Sequence, residues 1–508
     1  MDFMSAIKAE SAKDQIVRTE NGAAAYKTTG SKLLDLNFGA SSFRKSSDQE
    51  IIDAFMDAYS EDPVYAIAWL FYCRDCRGGM GERRFFRVVM NYLASQQAYA
   101  DVVIPVLSWV PEYGRWDDMI QLLRVCCDSV ADKVYEILKH QLDMDVKASK
   151  RGEMVSLLAK WMPSDNATSV SNRALAMKIA SRLGVSIARY RKTMVALRSY
   201  IDLLERKLSE NRWSEVDYEH VPSQANLLYR NAFLKHDRER RTAYLASVQS
   251  GEAKIHASTL FPHDVVSRYG KCPSTIDPAL EALWNNLPDY VDGESKTLVV
   301  RDGSYSMTCR VGDGSNAMAM DVSTALAIYF AERCKGPFQN QFITFSSMPK
   351  VVSIAGLGTL AEKLHRCYRE TECTNTNIEA VFNLILRTAI SSKCSQEDLP
   401  STVLIVSDME FDRATTYGRD NMTPLFEEIR RRFLECGYQM PKLAFWNVCS
   451  RSKGIPLREN ENGVALVSGF APATIKMVLQ EEADPHKALM NVLNSERYAA
   501  ILDALKRP

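Results

Sequence analysis

The chain has 508 residues, of which 46% are hydrophobic and 25% are charged. Because this composition is typical of globular proteins, it excludes a mainly disordered chain, and the length predicts two or three domains. The 63 lysines and arginines balance 63 aspartates and glutamates, so the formal net charge is zero. A balanced charge excludes a histone-like protein or a polybasic membrane binder, and any nucleic-acid site must be a local patch.

The sequence predicts a cytoplasmic protein with no membrane association. Its first residues, MDFMSAIKAESAKDQ, lack the apolar core of a secretory signal. No apolar run reaches the roughly 20 residues that span a bilayer. The twelve cysteines are scattered without regular spacing, which is typical of reduced thiols in a chain without an export signal.

After an N-terminal extension (1–45), the pattern from 46 to 256 is helical. Apolar residues recur at i, i+3, i+4 and i+7 in segments such as QEIIDAFMDAYS, ERRFFRVVMNYLASQ and ARYRKTMVALRSYIDLLERKLSE. Breaks fall at Gly, Pro and Asp, as at Asp62-Pro63 and Gly78-Gly79. Helical pairs joined by short turns, without a fixed repeat length, predict an irregular HEAT-like array.

The pattern changes after a Pro-, Gly- and Asp-rich segment (257–295), which we interpret as a linker. From 296 to 508, apolar runs alternate with amphipathic helices. The predicted strands are 296–302, 338–347, 350–354, 402–409, 442–449 and 464–470. This alternation predicts a doubly wound, mostly parallel, Rossmann-like α/β sheet, so the chain is expected to be multidomain. In such sheets, ligands bind beyond the carboxyl ends of the strands.

Hard oxygen donors follow two of these strands. Asp302, Ser304 and Ser306 come after the first strand, and Asp408 comes after the fourth. Between them in sequence, Thr374 precedes a predicted helix. Carboxylate and hydroxyl oxygens suit Mg²⁺ or Mn²⁺ better than Zn²⁺. The alternative is a turn rich in Ser, Thr and Asp that caps helices and binds nothing.

The order D-x-S-x-S, then T, then D resembles the metal-ion-dependent adhesion site (MIDAS) of von Willebrand factor A (vWA) domains. By this resemblance, the metal ligands would be Asp302, Ser304, Ser306, Thr374 and Asp408. Two residues depart from the usual pattern, in which an apolar residue stands at Arg301 and glycine at Tyr305. We expect Arg301 to reduce the local negative charge and Tyr305 to screen the metal.

Longer phrases extend the resemblance over nearly the whole chain. Among them are DPVYAIAWLFYCRDCRGGMGERRFFR, WVPEYGRWDDM, HVPSQANLLYRNAFLKHDRERRTAYL and VSGFAPATIKMVL. They resemble an uncharacterised family that pairs a helical module with a vWA domain. Its architecture is similar to that of the Ro autoantigen (TROVE) proteins. The resemblance implies a ring of helices that binds single-stranded or small structured RNA and is closed by the vWA domain.

A local excess of positive charge is compatible with RNA binding. Residues 151–200 contain nine lysines and arginines but only two acids, and Trp161 and Tyr190 could stack on bases. Single-stranded RNA needs cations for its phosphates and aromatic rings for its bases. From this segment we take as candidates Lys178, Arg182, Arg189, Arg191, Lys192 and Arg198. The alternative is that these charges are solvated and pair with acids on neighbouring helices.

A glycine-rich basic loop supplies the other RNA candidates. Arg74, Arg77, Arg83 and Arg84 surround three glycines in RDCRGGMGERR, where backbone N–H groups could approach a phosphate. No G-K-[ST] follows, so the loop is not a nucleotide-hydrolysing P-loop. The alternative is a tight turn whose arginines pair with nearby acids.

We therefore expect an RNA-binding scaffold, part of a ribonucleoprotein, with a metal-dependent docking site and no enzymatic activity. No G-x-S-x-G or H-E-x-x-H motif is present. The alternative is an adaptor that binds a partner's carboxylate through the metal and does not bind nucleic acid. A metal-dependent hydrolase would need a general base, for which only Glu410 or Asp412 could serve.

Overall fold

The structure is a computed structural model. It describes residues 16–18, 24–270, 273, 275–291, 296–311, 317–346, 348–370, 377–409, 425–449, 464–471, 474 and 484–506. The candidate ligand Thr374, together with Glu410 and Asp412, lies outside the described residues. Among the described helices, none combines the length and hydropathy needed to cross a membrane.

The first half of the chain is helical, as predicted. A two-stranded antiparallel sheet, β1 (Ile16–Arg18) and β2 (Ala24–Tyr26), precedes the helices. The helices α1 to α8 are Lys32–Gly39, Asp48–Glu61, Pro63–Arg74, Arg83–Ser95, Ala100–Val103, Val110–Tyr113, Trp116–Leu122 and Asp128–Arg151. The helices α9 to α15 are Leu158–Trp161, Val170–Arg182, Ile187–Tyr200, Leu204–Ser209, Ser223–Leu228, Arg230–His236 and Arg238–Ser250.

Local sequence explains where the first long helices begin. Ser47 and Glu50 form a reciprocal capping box at the start of α2, which satisfies two otherwise unpaired N–H groups. Asp62 caps α3, whose first residue is Pro63, a residue favoured there because it has no N–H to satisfy. Nearly every residue of α3 after its first turn is buried, so this helix forms the centre of the helical core.

The second half of the chain is an α/β domain. Its strands β3 to β8 are Thr297–Asp302, Gln341–Phe345, Val351–Ser353, Thr402–Ser407, Lys442–Asn447 and Val464–Ser468. Its helices α18 to α23 are Ala319–Arg333, Leu360–Arg369, Ile378–Ser391, Leu425–Glu435, Pro485–Leu493 and Glu496–Lys506. Strands β3 and β6 are buried along their whole length, as expected for strands covered on both faces.

The strand order confirms the predicted doubly wound sheet. The order is β5-β4-β3-β6-β7-β8, and only the pairing of β4 with β5 is antiparallel. From β3 the chain first builds outward through β4 and β5, then returns to the other side of β3 with β6. The direction in which successive strands are added to the sheet therefore reverses between β3 and β6, and a crevice opens at such a switch point beyond the strand ends.

The segment predicted as a linker contains two packed helices, α16 (Pro262–Tyr269) and α17 (Pro278–Asn285). The two prolines are the first residues of these helices, whereas the sequence interpretation treated proline as a breaker. The Asp277 side chain accepts hydrogen bonds from the first N–H groups of α17. Helix α16 packs against α18 of the α/β domain, so this segment joins the halves through a hydrophobic interface.

Both ends of the chain also connect the two halves. Near the N-terminus, the Ser41 N–H donates to Ser468 Oγ at 2.9 Å. The Asn447 amide donates to the carbonyl oxygen of Phe38 at 3.1 Å. The end of α1 therefore lies on the carboxyl edge of β7 and β8. At the C-terminus, α23 packs on α3.

Candidate metal centre and cationic surface

The sheet brings Asp302 and Asp408 to its switch point. Asp302 is the last residue of β3, and Asp408 directly follows β6, the neighbouring parallel strand. Both side chains are buried. Because parallel strands place their carboxyl ends at one edge, two acids far apart in sequence lie beside one crevice. Ser304 and Ser306 follow Asp302 on the loop above it.

Hydrogen bonds fix the Asp302 carboxylate and the two hydroxyls. One carboxylate oxygen of Asp302 accepts from the Ser304 N–H at 2.9 Å, and the other accepts from the Ser407 hydroxyl at 2.5 Å. The hydroxyl oxygens of Ser304 and Ser306 are 2.8 Å apart. Ser407 also accepts from the Met409 N–H at 3.1 Å. Ser407 therefore orients both acid-bearing loops, a role that the sequence analysis missed although it adjoins Asp408.

Electrostatics at Asp302 favour a positively charged ligand. Burial raises the pKa of the Asp302 carboxyl, while hydrogen bonds from Ser407 and Ser304 and the charge of Arg301 act in the opposite direction. A raised pKa means that the buried negative charge is not fully compensated by its neighbours. A divalent cation would supply that compensation.

The two residues that depart from the vWA pattern have different environments, since Arg301 is buried and Tyr305 is exposed. Arg301 is buried on the helix-covered face, where its guanidinium donates to Thr324 Oγ1 and to the Cys367 carbonyl. Its charge acts on Asp302, while these two hydrogen bonds are made with other residues. The Tyr305 side chain is 76% exposed and projects into solvent. No cluster of three or more His, Cys, Asp or Glu metal ligands occurs in the described ranges.

Several of the ten RNA-binding candidates are engaged in pairs within the structure. Arg74 is buried against Asp118, and the exposed Arg84, Arg182 and Arg191 each pair with an acid. Arg77 and Arg198 donate to backbone carbonyl oxygens. Four of these six residues thus have acidic partners of the kind that the alternative describes, whereas Arg77 and Arg198 have carbonyl acceptors. The acids that pair with Arg84, Arg182 and Arg191 are Asp48, Asp132 and Asp165, respectively.

Four candidates have neither an ion pair nor a side-chain hydrogen bond among the described residues: Arg83, Lys178, Arg189 and Lys192. All four are exposed. Although Arg83 is accessible to solvent, surrounding atoms partly desolvate its guanidinium, and this desolvation and the charges of Arg115, Arg74 and Arg87 lower its pKa. The charge of Asp118 opposes this shift, but the three neighbouring guanidinium groups would still favour an anion beside Arg83.

Arg115, the residue whose charge acts most on the pKa of Arg83, was not among the candidates predicted from the sequence. Its guanidinium carbon lies 5.4 Å from the ring centre of Trp161, so a cation and an aromatic face are combined there. Tyr190, the other predicted stacking residue, is buried, and its hydroxyl donates to the Pro163 carbonyl. Tyr190 therefore has no exposed face for a base.

Two family models match the chain. One domain of unknown function (DUF2828) matches residues 117–301, and another (DUF7788) matches residues 296–500. The chain is also 30% identical over 516 residues to "Uncharacterized protein L728" of Acanthamoeba polyphaga mimivirus, covering 94% of this chain and 86% of the viral protein. The prediction of an uncharacterised family is thus confirmed, whereas the TROVE and vWA resemblances stay predictions. The chain belongs to the same family as this mimivirus protein.

Proposed function

We propose that the protein is a scaffold whose α/β domain binds Mg²⁺ or Mn²⁺ and uses the cation to dock an acidic group of a partner. The observation that carries this proposal is the pair of Ser304 and Ser306 hydroxyls beside the oriented carboxylate of Asp302. Asp408 and, by the vWA resemblance, Thr374 would complete the ligand set. In this proposal the protein is not an enzyme.

The spacing of the oxygens fits a small divalent cation. Adjacent ligands on an octahedral Mg²⁺ at about 2.1 Å lie about 3 Å apart, close to the 2.8 Å between the two hydroxyl oxygens. Hydroxyl ligands are neutral, so they leave most of the positive charge of the cation in place. That charge would attract a carboxylate or phosphate of a partner, and the exposed ring of Tyr305 would lie next to the docked group.

A thermal-shift experiment with Asp302→Asn tests the metal site. At a Mg²⁺ concentration about 100 times Kd, binding stabilises the native state by about 2.7 kcal/mol, so the wild-type Tm should rise with Mg²⁺. The variant should keep its fold, because Asn can still accept from the Ser304 N–H, but it should lose this response. The exposed Asp503→Asn variant is the matched control and should respond like wild type.

The pH dependence adds a second readout for the same site. Since burial raises the pKa of Asp302, its ionised form costs stability at neutral pH, and this cost disappears as the pH falls through the raised pKa. Without Mg²⁺, Asp302→Asn should therefore be as stable as wild type or more stable at neutral pH.

In the thermal-shift experiment, equal Mg²⁺ responses of wild type and Asp302→Asn would contradict the metal site.

RNA binding is the second proposed function, and the group formed by Arg83, Arg115 and Trp161 favours it. The arginines offer charge to phosphates, and the half-buried indole offers a stacking face. In this proposal, Arg189 and Lys192 extend the contact along α11, and the scaffold holds RNA while the α/β domain docks a protein. An adaptor that binds no nucleic acid remains the alternative.

Titration of a fluorescent single-stranded RNA at several salt concentrations tests this proposal. The double variant Arg83→Ala/Arg115→Ala should bind more weakly, and the slope of log K against log salt should fall by about 1.4, or about 0.7 per lost phosphate contact. Arg84→Ala is the control, because Arg84 already pairs with Asp48, and it should bind like wild type. No binding by folded wild-type protein at low salt would leave only the adaptor function.

A further inference from the structure

Two cysteines from distant parts of the chain meet beside the candidate metal centre. Cys309 directly follows the short 3₁₀ segment Tyr305–Thr308, and Cys449 lies two residues beyond β7. Their sulfur atoms are 3.6 Å apart, with the Cys309 thiol donating to Cys449. Both are free thiols, and Cys309 is half-buried while Cys449 is buried. The fold therefore places two reduced thiols in direct contact.

The surroundings of the two thiols differ. The hydrogen bond from Cys309 and the charges of Lys45 and Arg44 outweigh burial and lower the pKa of Cys449 to about 6. The Cys309 thiol donates this hydrogen bond and is half-buried. In its neutral form, Cys449 can instead donate to the Arg310 carbonyl, at a longer 3.9 Å. The donated hydrogen bond and the two nearby cations therefore favour Cys449 as the nucleophile of the pair.

We propose that Cys309 and Cys449 are a modification site at which a peroxide forms a reversible disulfide. The Cys449 thiolate attacks a peroxide oxygen, the O–O bond breaks, and the leaving alkoxide or hydroxide takes up a proton. The Cys309 thiol then attacks the resulting sulfenic acid, the new S–S bond forms, and water leaves. Overall, two thiols lose two electrons and two protons, and the peroxide is reduced.

The geometry requires only a small movement. A disulfide bond is about 2.05 Å long, so the sulfur atoms must approach by roughly 1.5 Å from their present 3.6 Å. Cys309 lies on a short loop, where side-chain rotation and a small backbone shift can supply this distance. In a cytoplasmic protein such a pair would be transient and redox-sensing, since structural disulfides are rare there.

The position of the pair links its oxidation state to the loop that carries the hydroxyls. The Cys309 N–H donates to the carbonyl oxygen of Ser306 at 3.3 Å, and its own carbonyl accepts from the Ala319 N–H at 3.0 Å. A disulfide would therefore fasten the segment after Ser306 to the end of β7. The inference concerns the thiols alone and does not rest on the proposed function.

Peptide mass spectrometry after peroxide treatment tests the proposal. Full-length protein is treated with hydrogen peroxide, alkylated and digested without reductant. We expect a linked peptide that contains Cys309 and Cys449 and that disappears with dithiothreitol. Cys449→Ser should abolish the link. Cys309→Ser should instead leave a sulfenic acid on Cys449, which dimedone traps.

Cys436→Ser is the matched control, since Cys436 is exposed and should leave the link unchanged. The proposal would be overturned if folded wild-type protein gave no Cys309–Cys449 peptide while Cys436 became oxidised. Dimedone labelling of Cys309 in the Cys449→Ser variant, at the rate seen for Cys449 in Cys309→Ser, would overturn the assignment of Cys449 as the attacking thiolate. The wild-type measurement decides the first point even if a variant fails to fold.

Discussion

Replacement of Asp118 by alanine is expected to lower the free energy of unfolding of the helical half by about 3–5 kcal/mol, the usual cost of removing one partner from a buried ion pair. The Asp118 side chain is fully buried and accepts four hydrogen bonds. Two come from the Arg74 guanidinium, one from Arg87 Nε and one from the Arg115 N–H. One carboxylate therefore balances the positive charges of two arginines, Arg74 and Arg87.

The space around this carboxylate explains why the loss cannot be repaired locally. A Cβ atom on Gly114 would lie 2.5 Å from an Asp118 carboxylate oxygen and 3.0 Å from the carbonyl oxygen of Val110. The glycine thus allows the turn before α7 to close over the ion pair. In Asp118→Ala, Arg74 stays buried with no acid in its place, and water cannot replace four hydrogen bonds without opening this turn.

Chemical denaturation followed by the circular dichroism of the helices measures the effect. Asp117→Ala is the matched control, because Asp117 is the adjacent residue and also pairs with Arg87 but is partly exposed. We expect the control to lose at most about 1 kcal/mol, as is usual for exposed pairs. Similar losses for the two variants would show that burial of Asp118 does not determine its contribution.

The Asp118 ion pair also shows why the sequence could not distinguish the six RNA-binding candidates that are engaged within the fold from the other four. A count of positive charge in residues 151–200 finds the basic segment but not its partners. Arg74 pairs with an acid 44 residues away, and Arg182 pairs with one 50 residues away. The residues left without such pairs, such as Arg83, emerge only when the folded neighbours are known.

The α/β sheet and the metal candidates were predictable because their signals are local. Apolar runs set the strands, and the acids that follow those runs must lie at the carboxyl edge of a parallel sheet. Asp302 and Asp408 therefore came together as expected, whereas the hydrogen bond from Ser407 needed the structure. Contacts between the halves, such as the hydrogen bond from the Asn447 amide to the Phe38 carbonyl, depend on how distant elements pack and cannot be read from a local sequence pattern.

The contact between the end of α3 and the C-terminal helix α23 gives the second large expected effect. Asp75→Ala should cost about 2–4 kcal/mol, because Asp75 is fully buried and accepts from the guanidinium of the partly exposed Arg497 at 2.7 and 3.1 Å. It also accepts from the Tyr498 hydroxyl at 3.2 Å. Removing Asp75 leaves this buried hydroxyl without its acceptor, which alone costs about 1–3 kcal/mol.

Proteolysis and hydrogen exchange distinguish this effect from a general loss of stability. Asp75 lies at the end of α3 and Arg497 lies in α23, so the variant should expose both helices together. We expect faster cleavage before α23 and faster amide exchange in both helices, with little change in β3. Glu112→Ala is the matched control: Glu112 contacts the same arginine at 3.3 Å but is exposed, and its loss should cost at most about 1 kcal/mol.

An unchanged exchange rate in α3 of Asp75→Ala would mean that α23 docks through its apolar residues alone. The apolar contacts are substantial, since Tyr498 stacks on Tyr113 and Ile501 and Leu502 are buried. Apolar contacts hold α23 against α3 but tolerate small shifts along the helix axis. The pairing of Asp75 with Arg497, in contrast, allows only one position of α23. The Asp75 carboxylate should therefore determine the position at which α23 packs on the helical half. Its removal should increase amide exchange in both α3 and α23.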